Sequence, residues 1–158
     1  PVVVDTPVAR VGLAVCYDLR FPELFRGLVD AGAELFAVPA AFTVPTGAAH
    51  WELLLRARAV ENLCHVVAAD QVGNHPSERA SFGDSMIVDP WGRVMARRAT
   101  GSGVIMAPID RHERAELRDR FVLGQRAVRV NVLTLPVKLI QMPHRRVNQD
   151  AGMKTTAP

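Results

Sequence analysis

Cys16 is the residue whose surroundings best suit covalent chemistry. It follows the apolar residues 11–15 and precedes the polar stretch 17–23, so a buried strand is predicted to present its thiol at the strand's carboxyl end. A thiol held there can attack a carbonyl carbon once it has lost its proton. Most free cysteines are small buried hydrophobic residues, and packing is therefore the alternative interpretation.

The attack needs a base or a positive charge close to the sulfur, because a thiol of reference pKa about 8.5 is mostly protonated at neutral pH. The sequence offers His50, His65 and His75 for a Cys–His pair. His50 is predicted just before a helix, His65 in a strand and His75 in a polar loop, and a structural role explains each. A Cys–His dyad is therefore the less favoured interpretation.

Hydrophobic periodicity predicts strands and helices in alternation around Cys16. Strands are predicted at residues 10–16, 34–38, 64–71 and 103–109, and helices at 22–31, 51–62 and 111–120, the last capped by Asp110. A hairpin is predicted around the turn Asp89-Pro90-Trp91-Gly92, with loops at 39–49 and 73–80. This order predicts an α/β (α+β) fold with helices packed on a sheet.

Four stretches, taken together, resemble the nitrilase superfamily of carbon–nitrogen hydrolases, in its Nit-type amidase branch. They are AVCYDLRFPEL around Cys16 and residues 50–62, 66–73 and 81–94, in the order of the family. The resemblance covers roughly residues 8–126, which correspond to the C-terminal part of a family member. It implies a four-layer αββα sandwich, of which this chain would supply a part.

The resemblance also implies a mechanism in which a cysteine, a glutamate and a lysine cleave an amide through a thioester. Cys16 would be the nucleophile, and the backbone N–H of Tyr17 would donate to the oxyanion. The family places its glutamate and lysine upstream of the cysteine, whereas here Asp5 is the only acidic residue before Cys16 and the first lysine is Lys138. We therefore expect a chain that starts at Pro1 to be a fragment, inactive on its own.

Three further residues are predicted to contact the substrate. Arg20 lies four residues beyond the nucleophile, and the resemblance likens it to a clamp on the carboxylate of a dicarboxylic acid monoamide. A salt bridge to Asp18 or Glu23 is the structural alternative for this arginine. Phe42 and Thr46 are predicted on the loop after the next strand, which walls the pocket in the family.

No metal and no cofactor are expected, because the sequence lacks metal-ligand spacing and a phosphate-binding glycine loop. The expected partner is a small-molecule amide, with a homo-oligomer expected for a complete protein. We expect a cytoplasmic protein without membrane attachment, since no apolar run approaches the roughly 20 residues of a membrane span and no signal peptide is recognised. Cys16 and Cys64 are expected to be free thiols, with Cys64 in the core.

The charge changes sign along the chain. Residues 1–119 carry 12 Lys or Arg and 15 Asp or Glu, whereas residues 120–158 carry 7 Lys or Arg and one acidic residue. We therefore predict a hydrolase part at 1–126 and a basic tail of uncertain structure at 127–158. The tail has no aromatic residue and no binding motif, which disfavours nucleic-acid binding. A solvated tail, an oligomer arm and a shifted reading frame stay open.

Two other functions also stay open. The chain could be a catalytically inactive remnant that has lost the base and the lysine. An N-acyltransferase of the same superfamily is disfavoured, because members of that branch usually carry membrane segments.

Overall fold

The computed structural model describes residues 1–76 and 79–121, so the tail predicted at 127–158 lies outside the described residues. The strands are β1 (Val2–Asp5), β2 (Arg10–Leu13), β3 (Leu35–Ala40), β4 (His65–Asp70), β5 (Val72–Asn74), β6 (Ala80–Phe82), β7 (Ser85–Val88) and β8 (Val94–Arg98). The helices are a 3₁₀ helix at Cys16–Arg20, α1 (Pro22–Asp30), α2 (Val44–Asn62) and α3 (Arg111–Arg120). None of these helices is long and apolar enough to cross a bilayer.

Six strands form the main sheet in the order β1-β2-β3-β4-β7-β8, and β5 and β6 form a separate hairpin. The strands β2, β3 and β4 run parallel to one another, while β1, β7 and β8 pair antiparallel with their neighbours. The mixed α/β fold predicted from the sequence is confirmed. Parallel β2 and β3 bring the segments that follow them to one edge of the sheet, and the candidate site lies there.

The helices α1 and α2 cover one face of the sheet. Their buried side chains meet those of the strands in a single core, which includes Leu19, Phe25, Leu28, Phe36, Val38, Trp51, Leu55, Val66, Met86 and Val88. Side chains alternate along a strand, so Gly12 faces this core and Leu13 faces the other side, where it is 44% exposed. Val2, opposite Leu13 in register, is 59% exposed. The sheet therefore presents apolar side chains on the face away from the helices, as expected for part of a sandwich.

The prediction of a loop at 39–49 is wrong at both ends. One of its prolines lies at a position that a strand tolerates, and the other lies at a position that a helix tolerates. Pro39 lies within β3, beyond the last residue of β3 that pairs with β2, so no strand on that side needs its missing N–H. Pro45 lies in the first turn of α2, where backbone N–H groups have no intrahelical acceptor. The helix therefore begins at Val44 instead of residue 51.

Three further predictions differ from the structure. The strand predicted at 10–16 ends at Leu13, and the loop predicted at 73–80 contains parts of β5 and β6. The strand predicted at 103–109 is absent, because no strand of the described residues pairs with it, and Val104 is 85% exposed. The hairpin of β7 and β8 and the Asp110 cap are confirmed, since the Asp110 carboxylate accepts from two backbone N–H groups of α3.

Gly47 allows α2 to pack closely against β6. A Cβ at this position would overlap the Cβ and Cγ atoms of Phe82, which lie too near the backbone to move away. Gly47→Ala is therefore expected to lower the free energy of unfolding by about 1–2 kcal/mol, although alanine favours helices. Urea unfolding would measure the change, with Ala48→Gly, at an exposed neighbouring position, as the control for helix propensity. A stabilising Gly47→Ala substitution would show that this contact is not tight.

Candidate active site

Cys16 is the first residue of the 3₁₀ helix, at the sharp turn that follows β2. Its φ of 49° is in the left-handed region, which residues other than glycine seldom adopt. The Asp18 carboxylate accepts from the backbone N–H of Val15 at 2.8 Å, and the Asp18 N–H donates to the Val15 carbonyl at 3.0 Å. These bonds hold the turn, with the Cys16 side chain half-buried. Strained strand-to-helix turns of this kind present the nucleophile in some families of hydrolases.

All the predicted site residues lie around one cavity of about 190 Å³. Its lining consists of Cys16, Tyr17, Arg20, Ala41, Phe42, Thr43 and Thr46. A larger groove of about 600 Å³ runs along α2 beside Trp91, but no cysteine lines it. The smaller cavity is therefore the candidate active site, because it contains a thiol that a small molecule can reach.

Arg20 is held by aromatic rings and a histidine. Within residues 1–76 and 79–121 it forms no ion pair, so the predicted alternative of a salt bridge to a neighbouring carboxylate is not observed. The guanidinium carbon lies 5.6 Å from the Tyr17 ring centre and 5.4 Å from that of Phe42. The two terminal nitrogens each lie 3.4 Å from Nδ1 of His50. The arginine thus keeps an uncompensated positive charge at the cavity.

The buried Asp70 carboxylate holds the cavity wall that carries Phe42. Its two oxygens accept from the backbone N–H of Phe42 at 2.8 Å and of Gly83 at 3.1 Å, and the Phe42 carbonyl accepts from Phe82 N–H at 2.7 Å. Burial raises the pKa of the Asp70 carboxyl, because the loss of solvent outweighs these amide hydrogen bonds. Sequence analysis missed this residue. The signal was an acidic residue at the end of the apolar strand β4.

Thr46 lies in the first turn of α2 and not in a loop, as the sequence had predicted. Its hydroxyl is 2.9 Å from that of Thr43, and this contact joins the helix start to the cavity wall. His50 follows Thr46 by four residues, so both project from the same side of α2. Because the sequence predicts a helix that begins only at residue 51, it does not predict that Thr46 and His50 lie on the same side of a helix.

Arg58 connects α2 to the 3₁₀ helix that begins at Cys16. It is only 4% exposed, and its Nε donates to the carbonyl of Leu19 at 3.1 Å. One terminal nitrogen contacts both carboxylate oxygens of Glu61, at 3.1 and 2.9 Å, and the guanidinium lies 5.5 Å from the Phe25 ring centre. Their spacing of three residues on one helix favours the pairing with Glu61, whereas the bond to Leu19 joins parts of the chain that are 39 positions apart.

The histidines considered for a Cys–His dyad have other surroundings, and none lines the cavity that contains Cys16. His50 Nδ1 faces Arg20, and His75 Nε2 lies 2.7 Å from the Ser81 hydroxyl. His65 is buried at the start of β4, where burial lowers the pKa of its imidazole. The dyad is therefore not supported by the geometry.

Cys64 lies in the core, as predicted, with its side chain fully buried. Its sulfur is 3.3 Å from the carbonyl oxygen of Asn62, and burial raises the pKa of the thiol. A buried thiol with a raised pKa is a poor nucleophile. Cys16 is therefore the thiol that a reagent or a substrate can reach.

Residues 1–119 match the carbon–nitrogen hydrolase family. The deaminated glutathione amidase of Homo sapiens is 56% identical over 122 residues, which are 77% of this chain and 37% of that protein. The crystal structure of the Caenorhabditis elegans NitFhit protein matches with a TM-score of 0.71 and 51% identity, over 78% of this chain and 30% of that chain. The chain thus spans well under half the length of these relatives.

A third match is a mutant of an amidase from Nesterenkonia, with an acetamide moiety bound covalently at its active-site cysteine. It is 33% identical, with a TM-score of 0.57, over 63% of this chain and 37% of that chain. That protein is therefore an amidase with a reactive cysteine in a similar fold.

Proposed function

The chain belongs to the carbon–nitrogen hydrolase family, and on this premise we propose that it is the part of a Nit-type amidase that supplies the nucleophile and the carboxylate site. The observation that carries the proposal is that Cys16 and Arg20 line one small cavity. The family and the amidase relatives support the reaction type. The substrates proposed are small linear amides that bear a carboxylate.

In the proposed reaction the Cys16 thiolate attacks the amide carbon and forms a sulfur–carbon bond. The amide oxygen becomes an oxyanion, to which the Tyr17 backbone N–H donates a hydrogen bond. Tyr17 lies in the first turn of the 3₁₀ helix, where N–H groups have no intrahelical acceptor. The leaving nitrogen then takes up the proton that the thiol had given up, the carbon–nitrogen bond breaks, ammonia leaves, and a thioester remains on the sulfur.

Water next attacks the thioester, releases the carboxylic acid and returns a proton to the sulfur. Both steps need a base. We propose that a glutamate from outside this sequence supplies the base, and that a lysine from outside it supplies a second contact to the oxyanion. The sequence has no lysine before Lys138, and among the described residues none that lines the cavity carries a carboxylate. The catalytically inactive remnant is the alternative, and it predicts that no added segment restores turnover.

The role of Arg20 can be tested in a completed hydrolase, defined as the N-terminal part of the human relative fused to this chain. Arg20→Lys keeps the charge but loses the planar fork, so kcat/KM for succinamate is expected to fall roughly 10- to 100-fold. For butyramide, which has no carboxylate, the loss is expected to stay within about threefold. Steady-state kinetics on both amides would measure this.

Arg56→Lys provides the control, because Arg56 lies on the exposed side of α2 and does not line this cavity. Equal losses on succinamate and butyramide in the Arg20 variant would identify a structural arginine. The carboxylate preference would then have to be abandoned, while the amidase reaction itself would still stand.

A further inference from the structure

His50 contacts Arg20, the one cationic side chain that lines the candidate active site within the described part of the chain. Its Nδ1 lies 3.4 Å from both terminal nitrogens of Arg20. An arginine has donors only, so the imidazole nitrogen that faces it must be an acceptor. A hydrogen bond at this contact corresponds to the tautomer with the proton on Nε2 and the bare Nδ1 directed at the guanidinium.

The equal distances define which edge of the guanidinium His50 occupies. A nitrogen equidistant from both terminal nitrogens lies at the end of the group, opposite Nε. The edge formed by Nε and one terminal nitrogen is a second pair of parallel donors, which a carboxylate can accept in a bidentate manner. Among the described residues no acceptor to Nε of Arg20 is observed, so that edge is available to a ligand.

The position of His50 is itself fixed. The next residue, Trp51, is fully buried, and its Nε1 donates to the Asp84 carbonyl at 2.8 Å. This anchor sets the rotation of α2 about its axis at that point. The imidazole is therefore presented from a rigid helix and not from a mobile loop.

We propose that His50 is a positioning residue for substrate recognition: it holds the end of the Arg20 guanidinium so that the Nε edge receives the substrate carboxylate. The inference rests on the proposed function of Arg20 as a carboxylate clamp. It assigns to His50 a role in selectivity for charged amides, without a part in the chemistry at sulfur.

The test uses the 158-residue chain itself, because alkylation of Cys16 requires no catalytic base from another segment. Iodoacetate and iodoacetamide both react by thiolate displacement of iodide, and they differ mainly in the carboxylate charge. The ratio of their rate constants at Cys16, followed by peptide mass spectrometry, reports how well the cavity accepts a carboxylate. The buried Cys64 serves as the unreactive internal reference.

His50→Ala is expected to lower the iodoacetate-to-iodoacetamide ratio about two- to fivefold, because one hydrogen bond to a charged group is lost. His50→Asn is expected to keep the ratio within about twofold of the parent chain, since its Oδ1 provides an acceptor close to the position of Nδ1. A general loss of structure would also lower the ratio, because the cavity would be lost, but it would make the buried Cys64 reactive as well. A lower ratio with Cys64 still unmodified therefore separates positioning from folding.

Arg20→Lys separates this inference from the proposed function. If Arg20→Lys lowers the ratio while His50→Ala leaves it unchanged, the clamp stands and the role of His50 is wrong. If neither substitution changes the ratio, the carboxylate clamp itself is wrong, and the inference fails with it. A higher ratio in His50→Ala would show that the imidazole competes with the carboxylate, which also overturns the inference.

Discussion

Cys16→Ala is expected to abolish amide turnover by the completed hydrolase, with kcat falling by at least about four orders of magnitude. The substitution removes the only atom that can form the thioester, and Cys64 cannot replace it because it is buried and burial raises the pKa of its thiol. Release of ammonia from succinamate, measured by a coupled assay, would report the loss. A residual rate near that of the parent would show that another residue attacks the amide.

Cys64→Ala is the matched control and is expected to retain turnover within about threefold, because the side chain fills core space away from the cavity. The 158-residue chain without the added segment is expected to release no ammonia above the Cys16→Ala background. Turnover by that chain alone, lost in Cys16→Ala, would require a base within the sequence. The proposed division of the catalytic residues would then be wrong.

Arg58→Met is expected to lower the free energy of unfolding by about 3 kcal/mol. Methionine keeps much of the apolar stem, but it leaves the buried Leu19 carbonyl without the donor it now has at 3.1 Å. The guanidinium contact with the Phe25 ring is lost as well. Urea unfolding monitored by circular dichroism would give the difference.

Arg56→Met, two residues earlier on the same helix, is the control. The Arg56 side chain is 53% exposed and pairs with the half-buried Glu52, so its removal is expected to cost less than about 1 kcal/mol. Similar losses of unfolding free energy in both variants would mean that the buried Arg58 contributes no more to stability than the exposed Arg56. The hydrogen bond from Arg58 to the Leu19 carbonyl, which joins α2 to the 3₁₀ helix, would then make no special contribution to stability.

The residues of the candidate site that lie close to Cys16 in sequence could be predicted because short-range geometry fixes them. Tyr17 and Arg20 lie on the same short helix as Cys16, so one turn of chain brings all three to the cavity. Phe42 and Thr46 could be predicted because parallel neighbouring strands end at the same edge of a sheet. Their placement at the cavity follows from topology, whereas their roles stay proposals.

The residues that support the cavity could not be predicted, because their contacts join distant parts of the chain. Asp70 meets Phe42 across 28 positions, and Arg58 meets Leu19 across 39. His50 could not be linked to Thr46, because the prolines in residues 39–49 favour a loop there, whereas α2 already begins at Val44. Local patterns carry no information on such long-range polar contacts, which depend on the packed fold.

Mass spectrometry of the completed hydrolase, quenched with acid during turnover of succinamate, tests directly whether Cys16 forms the thioester. The succinyl acyl group is expected on the peptide that contains Cys16, with Cys64 unmodified. An acyl group on another residue, with Cys16 free, would show that Cys16 is not the nucleophile.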